Sequence, residues 1–256
     1  MTGQSANSQP WHNKTVWVTG ANQGIGAATA KMFHELGANV VAFDQHFEQT
    51  HNNITQITLD ISNEQAVKEA CQSLITTGNK IDILINVAGI LQMGKITELT
   101  NKQWQRTFDV NVSGAFHIMQ QVIPVMKAAN SGAIVSVSSN ANHMPRMSMA
   151  AYSASKSALT NLTMVAGIEL AEHGIRCNVV SPGSTQTPMQ WSLWQDQNGE
   201  ANTINGFPEQ FKPGIPLGKL ATPKDIAETV VFLSSPQANH ITLQDIVIDG
   251  GATLGK

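Results

Sequence analysis

An α/β domain built on a seven-stranded parallel sheet with helices on both faces is predicted by three observations on this sequence. Short β-branched runs alternate with longer helical stretches between residues 14 and 248. A glycine-rich turn joins the first run to the first helix. No Pro/Gly/Ser linker, repeat or low-complexity tract divides the 256 residues, so one domain is expected, the usual outcome for folds of this class and size.

The runs at 15–18, 39–43, 54–59, 81–87, 133–137, 176–180 and 245–248 read as strands. Helices are expected between them at 25–36, 63–77, 107–129, 151–172 and 223–233. Ser62 ahead of Asn63 and Glu64 signals the start of the second helix, and Thr222 ahead of Pro223 and Asp225 that of the last. The third and fourth carry wide apolar faces that include Phe116, Met119, Ile123, Leu159 and Leu162. Residues 184–216 break the alternation with prolines, glycines, Trp191, Trp194 and no clear strand, the composition of a substrate loop or lid. Residues 1–12 read as a polar extension and 13–256 as the domain.

Composition narrows the chemistry. Charged residues make up only 13% of the chain, against roughly 25% in average proteins, and the net charge is -3. Without basic runs there is no electrostatic footprint for nucleic acid. Asp82, Asn86, Asn111 and Gln244 interrupt every long apolar run, so no membrane span is expected. The first 14 residues lack the apolar stretch of a secretory signal. Two cysteines, Cys71 and Cys177, make neither a disulfide framework nor a metal cluster, and the eight histidines show no HExxH spacing. Metal-free small-molecule chemistry in a reducing cytosol is the expectation.

The turn after the first strand reads Thr19-Gly20-Ala21-Asn22-Gln23-Gly24-Ile25-Gly26. Glycines there let the backbone bend sharply and approach a pyrophosphate, which the N-terminus of the helix stabilises. Asp44, 24 residues beyond Gly20, closes the next strand where a carboxylate can accept bonds from an adenosine ribose diol. This is the dinucleotide arrangement of a Rossmann-type, doubly wound fold. A carboxylate at that place repels a 2′-phosphate, and no Arg or Lys occurs among Ala21, Asn22, Gln23, Gln45 and His46, so NAD is expected over NADP.

Tyr152, the only tyrosine of the chain, and Lys156 stand four apart on one helix face. A phenol ionises near pH 10, and its pKa must fall by about 3, equivalent to about 4 kcal/mol, for it to serve as a base near neutrality. A neighbouring ammonium and a cationic nicotinamide ring could together supply this. Ser139 lies 13 residues before Tyr152, just past a strand end of the kind that lines the ligand crevice of an open sheet. Ser138 should face the opposite side.

With these residues in place the sequence resembles the short-chain dehydrogenase/reductase family. The cofactor turn matches Thr19 to Gly26, and the family's Asn-Ala-Ala-Gly element resembles Asn86-Val87-Ala88-Gly89, with Val87 in place of alanine. The catalytic set falls on Asn111, Ser139, Tyr152 and Lys156, and the Pro-Gly element on Pro182 and Gly183. The resemblance implies Tyr152 as acid/base, with Lys156 lowering its pKa and holding the ribose. It implies that Ser139 orients the substrate hydroxyl and that Asn111 holds a relay water, although a capping or core amide is the alternative. It also implies cofactor contacts by Asp60 and Ile61 near the adenine, Asn86, Ala88 and Gly89 along the ribose, and Pro182, Gly183, Thr185 and Thr187 near the nicotinamide. Asp60 followed by Ser62 could instead cap the next helix.

A narrower resemblance within the family is carried by residues 86–95, 132–156, 176–191, 210–219 and 240–255, and implies a small ring-diol acid as substrate. Its carboxylate needs a partner, for which Arg146 and, second, His143 are the candidates; a solvent-facing arginine and a backbone-bonded histidine are the alternatives. Met189, Trp191 and Trp194 are candidates for an apolar cover over the ring. Other alcohol oxidations or reductions on the same scaffold, and a catalytically silent NAD-binding protein, stay open. The family resemblance further implies a homotetramer joined through the helices around 111–129 and 151–172.

Overall fold

The computed structural model describes residues 11–255 except 52 and 79; residues 1–10 of the expected extension lie outside the described residues. Seven parallel strands form one sheet in the order β3-β2-β1-β4-β5-β6-β9. They are β1 (Thr15–Thr19), β2 (Asn39–Asp44), β3 (Thr55–Thr58), β4 (Ile83–Asn86), β5 (Gly132–Val137), β6 (Ile175–Pro182) and β9 (Asp245–Ile248). Each expected strand is present, with β6 running two residues further so that it ends at Pro182.

Alternation along the strands gives the sheet two apolar faces. Val16, Val18, Val40, Ala42, Ile85 and Val135 face α1 (Gly24–Glu35) and α8 (Pro223–Ser234). Trp17, Val41, Phe43, Leu84 and Ile134 face α2 (Glu64–Thr76), α4 (Gly114–Ala129) and α5 (Ala150–Leu170). Trp11, placed in the polar extension by the sequence reading, is buried and meets Phe33 of α1 edge-on at 5.1 Å.

The caps explain the helix starts. Asn63, not Ser62, caps α2 by accepting the Ala66 N–H, because Ser62 is engaged with Asp60. Thr222 and Asp225 form a reciprocal capping box ahead of α8, with Pro223 in its first turn. Thr100 and Gln103 form another, so the helix expected from 107 begins six residues earlier, as α3 (Asn101–Phe108). A π-helical segment, Asp109–Ser113, joins α3 to α4.

Two expectations change. Met119 and Leu159 are buried in the chain's own core, and Ile123 and Leu162 pack against it. The apolar side chains that α4 and α5 leave exposed are Phe116, Val165 and Ile168. The stretch 184–216 is also more regular than expected. It holds α6 (Pro188–Trp191), α7 (Gly199–Asn205) and a ribbon of β7 (Gly206–Phe207) and β8 (Lys212–Pro213), with Trp194 and Ile204 packed on Ile215, Leu220 and Ala252. A turn-rich sequence hides this because its small core forms only against the end of the domain. Among the described residues no helix is long and apolar enough to cross a membrane.

Replacing Trp11 with Ala should destabilise the protein by about 3 kcal/mol through the cavity left beside Phe33. A denaturant midpoint unchanged from that of the parent chain would show that this residue adds nothing to the core.

Candidate active site

The sheet order reverses between β1 and β4, and a single long cavity of about 1010 Å³ runs along the carboxyl ends of the strands there. Its size is that of a large ligand site.

One end is built by the glycine turn. Gly20 has φ +67°, and a Cβ on it would lie 2.7 Å from the Ala88 backbone; a Cβ on Gly26 would lie 1.9 Å from the Gly20 carbonyl. Both positions therefore require glycine, and the close approach opens the start of α1 to the cavity. Gly20, Asn22, Gln23, Gly24, Ile25 and Gly26 all line it, as does Asp44. The Asp44 carboxylate is fixed by the N–H groups of Asn22 (2.9 Å) and Gln45 (2.7 Å). A cradle of free backbone N–H groups with a clamped carboxylate beside it fits a dinucleotide ribose and pyrophosphate.

Ile61, Ala88, Gly89, Pro182, Gly183, Thr185 and Thr187 also line the cavity. Asp60 and Asn86 do not. Asp60 accepts from the Ser62 hydroxyl and N–H and pairs with Arg106, an arrangement that fixes the loop before α2 rather than facing a ligand. Burial raises the Asp60 pKa, but these bonds outweigh it and hold the carboxyl below its ordinary value. Asn86 is buried beneath the cavity floor, where its amide donates to Ser136.

At the other end Ser139, Tyr152 and Lys156 converge on the cavity wall. Ser139 leaves β5 and hydrogen-bonds the Tyr152 hydroxyl while accepting the Ala141 N–H. Ser138 points away, bonded to the Lys156 carbonyl and Thr160, as alternation requires. Lys156 Nζ donates to the Val137 carbonyl at 2.8 Å and lies 5.8 Å from the Tyr152 ring centre.

Burial governs both titrations. It pushes the Tyr152 phenol above its ordinary value, opposed by the Ser139 hydrogen bond, and pulls the Lys156 ammonium down to about 8. Desolvation is the larger effect on the phenol, and the lowering expected from an ammonium together with a cationic nicotinamide has to work against it. A cation bound beside the phenol would work in the opposite direction.

Asn111 does not line the cavity. Its Oδ1 accepts the Ile90 N–H (2.8 Å), and its Nδ2 donates to the Ile90 carbonyl (3.0 Å) and to Ser155 Oγ (2.9 Å). Ser155 in turn donates to the Tyr152 carbonyl. The side chain thus braces the loop after Gly89 against α5, and both its amide hydrogens are committed. The core-amide alternative describes it better than water binding by the side chain.

The substrate candidates divide. Arg146 and Met189 line the cavity; His143 and Trp191 do not. His143 directly follows the short helical turn at Asn140–Asn142 and meets Asp245, 2.8 Å away. Trp191 is 50% exposed at the end of α6, whereas Trp194 lines the cavity. Unforeseen in the sequence are Leu91, Met93, Met147 and Met149, which supply an apolar wall, and Lys212 from the ribbon. The methionine-rich string from Met144 to Met149 beside Arg146 was the available signal.

A model of the family described as enoyl-(acyl carrier protein) reductase matches residues 20–253. The chain is 52% identical over 242 residues to the 2,3-dihydro-2,3-dihydroxybenzoate dehydrogenase of Escherichia coli, covering 94% of this chain and 98% of that one. It is 45% identical over 259 residues to the enzyme of the same name from Bacillus subtilis, covering 97% and 99%. Among solved structures, the ligand-free aldohexose dehydrogenase of Thermoplasma acidophilum superposes with a TM-score of 0.86 at 28% identity, covering 95% of each chain.

As the chain's only tyrosine, Tyr152 can be titrated by ultraviolet absorbance without interference. In the cofactor-free protein it should ionise above the ordinary value of about 10, and Ser139→Ala should raise the midpoint further, since the lost bond favours the phenolate. A midpoint that falls on this substitution would refute the assigned hydrogen bond.

Proposed function

The chain belongs to the short-chain dehydrogenase/reductase family, and from that premise we propose that it oxidises 2,3-dihydro-2,3-dihydroxybenzoate to 2,3-dihydroxybenzoate with NAD, supplying a catechol acid for siderophore assembly. The observation that carries this reading is one cavity joining the Asp44 ribose position, the Ser139–Tyr152–Lys156 cluster and a half-buried arginine, Arg146, suited to an acid.

In this reading Ser139 Oγ and the Tyr152 hydroxyl receive the ring carbinol. Tyr152, as phenolate, takes the hydroxyl proton. Lys156, held by the Val137 carbonyl, binds the nicotinamide ribose and favours the phenolate by its charge. The glycine turn and Asp44 would hold NAD, which when bound would supply the acceptor for the hydride of the carbinol carbon. The ketone so formed tautomerises, the adjacent ring carbon giving up its proton and the carbonyl oxygen gaining one, to an aromatic catechol, which favours oxidation. Arg146 offers the carboxylate a planar pair of N–H groups. Asn111 acts as a positioning residue for Ile90 and α5.

The preference for NAD rests on the Asp44 carboxylate, whose charge opposes a 2′-phosphate. Asp44→Ser should narrow the ratio of kcat/KM values for NAD over NADP; a parent enzyme that uses NADP equally well would overturn the cofactor assignment. The homotetramer is supported by the exposed Phe116, Val165 and Ile168 on α4 and α5, and a monomeric mass in light scattering would exclude it.

Incubation with NAD and the dihydrodiol acid, followed by NADH absorbance and catechol fluorescence, tests the reaction. Tyr152→Phe should lower kcat on the order of 10³-fold and leave the dissociation constant for NAD within about threefold, since the phenol acts on the proton and not on cofactor binding. Failure of the parent protein to oxidise the diol acid, with turnover of a neutral alcohol instead, would sink the substrate assignment.

A further inference from the structure

The substrate end of the cavity holds a second cation. Arg146, on the loop before α5, and Lys212, on β8 of the ribbon, both line it. Arg146 Nη1 is buried without a hydrogen-bond partner. Lys212 pairs with Phe207 across the ribbon, and its ammonium lies over that ring, 5.2 Å from the centre. The ribbon's base is tightly built: a Cβ on Gly206 would lie 2.6 Å from the Gly214 nitrogen, and the Ile215 N–H donates to the Ile204 carbonyl at 2.8 Å. Lys212 is therefore presented on a packed support.

Two like charges converging on one cavity repel each other and lose hydration. Burial, and after it the charge of Arg146, pulls the Lys212 ammonium below its ordinary value. Burial likewise lowers the Arg146 pKa, opposed by Asp249. Among the described residues Asp249 forms no ion pair with Arg146: its Oδ1 accepts the Gly251 N–H, and its Oδ2 accepts from Asn140 and twice from Thr253. Of the acidic residues nearest on the lid, Asp196 and Glu209 line the cavity, but among the described residues neither forms an ion pair with Arg146 or Lys212. In a chain with 13% charged residues, two cations at one end of the cavity, without an ion pair among the described residues, mark a site for an anion brought by the ligand. The pyrophosphate of the cofactor belongs to the glycine turn, on other segments.

We propose that Lys212 and Arg146 together form the receptor for the carboxylate of the ring acid, with Arg146 on the body of the domain and Lys212 on the lid. The inference rests on the reading of the substrate as a ring acid. One consequence is that the carboxylate joins the two parts: an acid links the ribbon to the loop before α5, and a neutral ring of the same size leaves them unlinked. Lys212 is thus a specificity-determining residue, and acid selectivity is its signature.

The test compares 2,3-dihydroxybenzoate with catechol, its analogue lacking the carboxylate, as ligands of the NADH-loaded protein in calorimetry, alongside steady-state oxidation of the diol acid. Lys212→Met should raise KM for the diol acid about tenfold or more, the loss of one charge-assisted bond. It should leave kcat within about threefold and lower the preference for the acid over catechol by the same factor as KM. Lys212→Arg should restore most of that preference. Arg146→Ala combined with Lys212→Met should fall short of the product of the single effects, because both act on one carboxylate. An acid-to-catechol preference unchanged in Lys212→Met overturns the proposal while the diol acid reading stands. A parent protein that binds the acid through both cations yet does not oxidise the diol keeps the receptor and loses the reaction. A parent protein that binds acid and catechol equally loses the receptor.

Discussion

In a parallel sheet every strand delivers its carboxyl end to the same edge, and every return path must cross a face of the sheet. Both faces of this sheet are thereby covered, by α1 and α8 on one side and by α2, α4 and α5 on the other. Backbone polar groups in its interior are satisfied by the ladder. The strand ends are left as the place where polar groups from distant segments can meet. Gly20, Asp44, Ala88, Ser139 and Gly183 all follow or close strands, and all of them line one cavity.

That edge also has to support a phenol and an ammonium out of water. The protein meets the cost locally. Lys156 is tied to the Val137 carbonyl, Tyr152 to Ser139, and the helix that carries both is braced through Ser155 and Asn111 to the Ile90 backbone. Asn111 lies in the π-helical segment between α3 and α4, a distortion of the kind that often accompanies functional sites. The result is a cluster whose ionisation is opposed by burial, where a charge placed nearby acts through a low dielectric. In water the same groups would respond much less.

The lid meets a different requirement. In the proposed reading it covers the ring of the substrate and carries one cation. Trp194 and Ile204 give it a small core against Ile215, Leu220 and Ala252, while Met147, Met149 and Met189 contribute deformable apolar surface. Two pairs of residues show how fine the division is. His143 and Arg146 share one loop and Trp191 and Trp194 share one lid segment, yet only the second of each pair reaches the cavity. A one-turn helix at Asn140–Asn142 ends just before His143, and another at Pro188–Trp191 ends on Trp191.

The sequence by itself determined the sheet, the glycine turn, Asp44 and the Ser139–Tyr152–Lys156 set, because β-branched runs, required glycines and fixed helical spacing are local properties that one stretch of chain carries whole. It also separated Ser139 from Ser138, since strand alternation leaves no choice. Only the tertiary structure decided that Asp60 and Asn86 serve the scaffold, that Asn111 spends its amide on Ile90 and Ser155, that Trp11 belongs to the core, and that Lys212 stands with Arg146. Each of these depends on contacts between segments far apart in the chain. No periodicity or spacing records such contacts, because their energies arise only when folding brings the partners together and removes the water between them.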